Sequence, residues 1–235
     1  MKILVIGGMH GNELLGIDLV KCIKEKPIPN VQVILANQKA IEASTRFIKK
    51  DLNRSFPGNI KGSYEDIRAY ELIKISKKYD LVLDFHNTYC PDNDCGFVGQ
   101  DSDKKLYDIA WLLDLDKIII ADYDCMNKYA SNCLSIEISL KSDLYNTQLW
   151  YERIKMLSKL DELKVTPKIS KYSFIYRITN EDRDIYSLRQ LNLKAFQPLP
   201  KTLAKKMNQK TPVYPIFIDD KFTPYYYGGL LTKIS

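Results

Sequence analysis

Apolar positions in the first two-thirds of the chain alternate between short unbroken runs and helically spaced clusters. Lys2 to Ile6 reads as a strand. Leu14, Leu15, Ile17, Leu19, Val20 and Ile23 then recur at helical spacing up to Lys26, where Pro27 and Pro29 end the helix. Val31 to Ala36 forms the next strand. A polar stretch follows, from Asn37 through Asp51 to Gly62, and loops of that length inside a compact domain tend to be functional or disordered. Ser63, with Glu65 and Asp66 behind it, caps a helix that carries Ile67, Tyr70, Leu72 and Ile73 to about Lys78. Leu81 to Phe85 is apolar except for Asp84, as expected of a strand buried on both faces. Lys104 to Leu115 reads as a helix, Lys117 to Ala121 and Leu134 to Ile138 as strands, and Tyr145 to Leu163 as a long amphipathic helix.

Strands alternating with helices predict an α/β domain built on a largely parallel sheet. After Thr166-Pro167 the texture changes. Ile169 to Thr179, Lys194 to Gln197, Val213 to Ile218 and Tyr225 to Ile234 are strand-like and broken by Pro, Asn and Asp. The expected division is a catalytic α/β domain over residues 1–164 and a smaller β-rich domain over 165–235.

The 235 residues suffice for a full core, with an apolar fraction of 45% and a charged fraction of 27% that suit a globular chain. No apolar run approaches the roughly 20 residues that span a bilayer. The apolar start, Ile3 to Ile6, is too short for a secretory signal, so the chain reads as cytoplasmic with no membrane partner. The five cysteines, Cys22, Cys90, Cys95, Cys125 and Cys133, are odd in number and lack C-x-x-C spacing, which argues against both a disulfide framework and a thiolate zinc cluster. The net charge of +6 comes from scattered lysines and favours an anionic over a cationic substrate. No arginine-rich tract or nucleic-acid motif occurs, so no nucleic-acid partner is expected. Association into a homo-oligomer stays open.

The chain has two histidines, each placed where a metal-dependent hydrolase needs one. His10 follows the first strand in Gly-Gly-Met-His10-Gly-Asn-Glu13, and His86 closes the run Leu81 to Phe85. Two parallel strands ending side by side bring both imidazoles and the Glu13 carboxylate to one edge. Two nitrogens, one carboxylate oxygen and an open position for water suit a catalytic zinc ion, whereas a structural site wants four protein ligands. Either histidine alone reads more readily as an ordinary polar residue at a strand end; two in matching places reverse that. Asp84 shares a strand face with His86 and is placed to hold its imidazole in one tautomer, or else to pair with a lysine. Water on such an ion has its pKa lowered to about 7, and a carboxylate must then carry its proton to the leaving nitrogen. Glu137, an acid inside the otherwise apolar run Leu134 to Ile138, is the candidate. Arg46, Asn53 and Arg54 share the long polar loop and can clamp a carboxylate or polarise a carbonyl oxygen.

These ordered motifs closely resemble the aspartoacylase and succinylglutamate desuccinylase family, which belongs with the zinc carboxypeptidases. They are His10-Gly-Asn-Glu13-Leu, Asn37 to Arg46, Asp51-Leu52-Asn53-Arg54, Asp84-Phe85-His86-Asn87-Thr88 and Ile136-Glu137. Val213-Tyr214-Pro215-Ile216-Phe217-Ile218 resembles a stretch of the family's C-terminal β domain. The resemblance implies a three-layer α/β domain with a mostly parallel mixed sheet and a small C-terminal β-rich domain. It implies one Zn2+ per chain on His10, Glu13 and His86, Glu137 as general base and acid, and Arg46 as oxyanion stabiliser. Asn53 and Arg54 would bind the carboxylate of an N-acyl amino acid, and Tyr225 and Tyr129 would match tyrosines that reach the substrate. The implied reaction is deacylation of that small molecule.

The chain also departs from the family. Aspartoacylases carry an arginine in the loop before the catalytic glutamate. Here Tyr129 to Ser135 is shorter and has none, which argues against N-acetylaspartate as the substrate. Two other readings share the same core: a carboxypeptidase acting on short peptides or cell-wall fragments, and a non-catalytic relative that binds zinc or a small acid. A competent residue at every core position argues against the last.

Overall fold

The structure, a computed structural model, describes residues 1–160, 162–210, 212–222 and 225–234. Nine strands form one mixed sheet: β1 (Ile3–Gly7), β2 (Val31–Leu35), β3 (Leu81–Thr88), β4 (Cys95–Gly99), β5 (Lys117–Ala121), β6 (Cys133–Ser139), β7 (Ser170–Ile178), β8 (Tyr214–Ile216) and β9 (Gly228–Ile234). Their order is β2-β1-β3-β6-β4-β5-β7-β9-β8. β2, β1, β3 and β6 run parallel, as do β4, β5 and β7, while β4 is antiparallel to β6 and β9 to both β7 and β8. This is the mostly parallel, mixed α/β sheet expected from the sequence.

Helices cover both faces. On one lie α1 (Leu14–Glu25), α4 (Lys105–Leu112) and α6 (Thr147–Ser158), which bury Leu15, Leu19, Ile109, Trp150 and Ile154 against Ile3, Val5, Leu83, Phe85 and Ile136. On the other lie α2 (Gln38–Glu42), α3 (Tyr64–Ser76) and α5 (Met126–Tyr129), where Ala69, Leu72 and Met126 meet Leu4, Ile6, Val82 and Cys133. The period of two along each strand makes this sorting possible, since Ile3 and Val5 face one layer while Leu4 and Ile6 face the other. α3 begins at Ser63, the cap expected from sequence, which forms a capping box with Asp66 in which each side chain meets the other's backbone N–H.

The chain runs from β1 outward to β2, then crosses back to β3 on the other flank of β1. In open α/β sheets such a reversal leaves a crevice at the carboxyl ends of the two strands, where ligands bind. The turn out of β1 is tight. Gly8 takes φ +68, a left-handed conformation suited to glycine. Gly7 abuts α1 so closely that a Cβ there would lie 2.1 Å from the Gly16 carbonyl oxygen.

Some elements differ from expectation. β4 occupies a stretch to which the sequence pattern assigns no element, because Cys95-Gly96-Phe97-Val98-Gly99 is short and carries two glycines that dilute its strand character. Conversely, Lys194 to Gln197 is not a strand. Phe196 adopts φ +57 there and donates its N–H to the Pro215 carbonyl, so the segment runs against β8 without joining the sheet. The polar stretch after β2 is folded, containing α2 and a turn of 3-10 helix at Leu52–Arg54 anchored by fully buried Leu52. Beyond residue 165, β7, β9 and β8 continue the sheet from β5, and Ile178, Leu188, Leu203, Val213 and Leu230 form a hydrophobic cluster of their own with α8 (Lys201–Lys206), near α7 (Asn180–Ile185). No helix among the described residues is long and apolar enough to cross a membrane.

Gly7→Ala must push α1 off the strand. Overpacking of this kind costs about 1–3 kcal/mol, so a lower thermal midpoint is expected. An unchanged midpoint in a calorimetric scan would contradict the close contact.

Candidate metal centre and cleft

The face of β3 that begins apolar at Val82 turns polar toward its carboxyl end, where Asp84 and His86 follow at the same period of two. The neighbouring strand does the same, with Cys133 followed by Ser135 and Glu137, and His86 and Glu137 stand opposite each other in register. The turn after β1 adds His10 and Glu13 from the other side. Glu13 is the N-cap residue of α1, yet its side chain caps nothing. The Leu15 N–H of that first turn is instead accepted by the Asn87 side chain at 3.1 Å, leaving the Glu13 carboxylate for the crevice.

His10, Glu13 and His86 are all buried and bring one donor atom each within 4.8 Å of one another. The Nδ1 atoms of both imidazoles face the Glu13 carboxylate, His10 at 2.7 Å from Oε1 and His86 at 3.0 Å from Oε2. Their other nitrogens face carboxylates too: His10 Nε2 lies 3.1 Å from Asp51 Oδ1, and His86 Nε2 lies 2.8 Å from Asp84 Oδ2. Each ring thus lies between two carboxylates, which only accept; with its Nε2 proton given to the aspartate, each ring turns an Nδ1 lone pair toward Glu13. Two lone pairs and a carboxylate facing each other in a buried space need a cation between them. The donor set therefore fits a divalent ion, and aspartates behind both ligating imidazoles are the usual supporting arrangement.

Charge reflects the same demand. Burial pushes His86 toward the neutral form, but Asp84 and Glu13 outweigh it and raise its pKa well above the usual 6.5. Burial acts upward on Glu13 and Asp51 too, and is overcome: His10 and His86 hold Glu13, and His10 with Arg46 holds Asp51, well below the ordinary carboxylate range. Glu137 goes the other way. Burial and the charges of Glu13 and Asp220 raise it well above the usual value, against the pull of His86 and Arg46.

Arg46 donates Nη1 to Glu13 Oε1 and Nη2 to Asp51 Oδ2, both at 3.2 Å. Arg54 lies over the Tyr123 ring at 4.6 Å, and Asn53 Oδ1 accepts from the Met126 N–H at 3.4 Å. These residues and Glu137 line one cleft with His10, Glu13, His86, Asn87, Phe97, Tyr123, Asn127, Ser135, Phe217, Asp220 and Tyr226. Seven of the nine expected site residues thus meet. The tyrosines do not. Tyr225 is 65% exposed and stacks on Phe47, while Tyr226, one residue on, lines the cleft. Tyr129 donates its hydroxyl to exposed Asp124 at 2.7 Å, and Tyr123, six residues earlier, takes the cleft position.

Several cleft residues escaped the sequence reading. Asp220 sits far from the motifs, at position 220, where it accepts from the Thr88 hydroxyl at 2.6 Å. Phe97 lies on the unforeseen β4, paired with Ser135 of β6. Asp51 was visible as a motif residue, but nothing in its spacing pointed to His10.

Comparisons with known proteins agree with this geometry. Residues 1–131 match the succinylglutamate desuccinylase/aspartoacylase catalytic domain. A probable aspartoacylase from Nostoc sp. is 29% identical over 97% of this chain and 94% of its own length. An N-acyl-aromatic-L-amino acid amidohydrolase (carboxylate-forming) from Xenopus tropicalis is 37% identical over 37% of this chain and only 34% of its own length. The fold is shared with the succinylglutamate desuccinylase of Chromobacterium violaceum, at TM-score 0.73, 16% identity, and coverage of 100% of this chain and 85% of that one. It is shared equally with murine aminoacylase 3, at TM-score 0.68, 19% identity, and coverage of 100% and 95%.

Because the folded-state pKa of His86 lies above 6.5, its charged ring adds stability to the metal-free protein that is complete below that pH and lost as pH rises through the raised value. An entering ion must displace this proton. Zinc titrated into chelator-treated protein is expected to release protons and to bind more weakly as pH falls, read by calorimetry in buffers of different ionisation enthalpy. Asp84→Asn should weaken that affinity about 10–100-fold.

Proposed function

The chain belongs to the succinylglutamate desuccinylase/aspartoacylase family, and from that premise we propose that it is a zinc-dependent amidohydrolase that removes the acyl group from an N-acyl amino acid. The observation that carries this reading is the meeting of His10, Glu13 and His86 at the carboxyl ends of β1 and β3, with Glu137 in register on β6. Relatives named aspartoacylase and N-acyl-aromatic-L-amino acid amidohydrolase support hydrolysis of this bond class.

His10, Glu13 and His86 would hold the ion. When bound, it supplies Lewis acidity toward the amide carbonyl and an attacking water. The protein's own residues do the rest. Glu137 takes the proton of the attacking water, and its raised proton affinity suits it to keep that proton and then pass it to the amide nitrogen as the C–N bond breaks. Arg46, half-buried and fixed by Asp51 and Glu13, presents a positioned guanidinium to the oxygen that gains charge. Asn53 and Arg54 at the cleft wall bind the substrate carboxylate, and Tyr226 takes the part expected of Tyr225. Tyr129, turned to Asp124, has no direct role in this scheme.

Glu137→Gln should lower kcat about a hundredfold to ten-thousandfold while zinc affinity stays near that of the parent, because Glu137 is not among the three converging donors. Turnover of N-acetyl amino acids by metal-loaded protein, with a chelated control, tests the whole reading. Equal rates with and without chelator would overturn it.

A further inference from the structure

We propose that Ser135 is a positioning residue for the metal centre, its hydroxyl bracing Asp84 and, through it, the His86 imidazole. This rests on the reading above in which His10, Glu13 and His86 hold the ion. It adds a residue beyond those three and the aspartates behind them.

In the parallel ladder of β3 and β6, Asp84 stands opposite Ser135, one period of two before His86 opposite Glu137. Ser135 and Glu137 therefore share a face of β6, and both side chains line the cleft. Ser135 is buried within the run Leu134 to Ile138, which is otherwise apolar except for Glu137. An alanine would fill nearly the same space, and burying a hydroxyl is unfavourable unless it is hydrogen-bonded. The reason for an oxygen at this position lies in what it faces.

Ser135 Oγ lies 3.2 Å from Asp84 Oδ2 and 2.9 Å from Asn127 Oδ1. Both are acceptors, and a hydroxyl has one proton to give. The Asn127 amide is oriented by its nitrogen, which donates to the Phe97 carbonyl of β4 at 2.9 Å and to the Cys133 carbonyl of β6 at 3.1 Å. Its oxygen has a second donor in the Cys125 thiol at 3.8 Å, and burial raises the pKa of that thiol so that it keeps its proton. Asp84 has less choice. It is completely buried, and the donors in reach among the described residues, His86 Nε2 at 2.8 Å and the Ser135 hydroxyl, both meet Oδ2. A charged acceptor bonds a donor roughly twice as strongly as a neutral one, so the hydroxyl proton goes to Asp84. The carboxylate is then gripped from its own strand and from the next, which fixes the surface against which the His86 ring is turned.

The experiment measures the zinc affinity of the chelator-stripped full chain at one pH, by competition with a chromophoric chelator. Ser135→Ala is expected to weaken binding about tenfold, the lower end of the range for groups that support a ligand, while the thermal midpoint of the metal-free protein changes little. Ser135→Thr keeps the hydroxyl and should bind zinc nearly as the parent does. Because Asp84 carries the effect, adding Ser135→Ala to Asp84→Asn should cost little further affinity. Unchanged affinity in Ser135→Ala, an equal loss in Ser135→Thr, or an undiminished loss on top of Asp84→Asn would overturn the proposal while leaving the deacylase reading intact. A rise in KM with zinc affinity unchanged would likewise overturn it, by assigning the hydroxyl to the substrate instead. A parent protein that binds no zinc would remove both.

Discussion

Two imidazole lone pairs aimed at one buried carboxylate cannot stand without positive charge between them, and much of the molecule is organised around supplying it. Asp51 and Asp84 create the demand by holding the Nε2 protons of His10 and His86. In the metal-free protein a proton meets the demand: Asp84 and Glu13 outweigh burial and raise the His86 pKa well above that of a free imidazole. A divalent ion meets it better, since it satisfies both nitrogens and the Glu13 carboxylate together. The pair of supporting aspartates thus keeps the ligands aimed whether or not an ion is bound, at the cost of concentrating buried negative charge.

Concentrated charge needs a rigid frame, and the sheet provides one. His86 and Glu137 sit at matched positions of two hydrogen-bonded parallel strands, so their separation is set by the spacing of the ladder rather than by loop geometry. His10 and Glu13 come from a turn locked between Gly7 and α1, with Asn87 of β3 bonded to the first turn of that helix. Arg46, Asp51 and Arg54 are charged participants on an extended connection. The loop is held by Glu65, a fully buried carboxylate that accepts the Ile48 and Lys49 N–H groups, and by Leu52 in the core.

How much of this was legible in the sequence depended on whether a residue's role is local. His10, Glu13, His86 and Glu137 could be read because each follows or sits within an apolar run, and strand ends in a parallel sheet gather at one edge. Arg46, Asn53 and Arg54 were legible through ordered motifs. Tyr225 and Tyr129 were named, and the cleft is lined instead by Tyr226 and Tyr123. In a run such as Tyr225-Tyr226-Tyr227 no periodicity says which ring turns inward, because the segment precedes β9 and no ladder fixes its register. Phe97 and Asp220 were hidden for a different reason. One lies on a five-residue strand with two glycines, and the other approaches Thr88 across 132 positions, a contact that exists only once β9 has folded back on β7.

The carboxylates of the cleft fall into two groups whose proton affinities move in opposite directions. Glu13 and Asp51 contact imidazoles and a guanidinium directly, and their protons are held off at any physiological pH. Glu137 and Asp220 lie in the same cleft without such contact. Burial raises both, and charge adds to it: Glu13 and Asp220 repel the charged form of Glu137, and Glu13 does the same to Asp220. Groups of one chemical type pushed in opposite directions by their neighbours are the pattern by which acid and base roles are assigned. Asp220 is bound by three donors and cannot move a proton without losing them, whereas Glu137 has no hydrogen-bond partner among the described residues. That difference supports Glu137, rather than Asp220, in the proposed role of base.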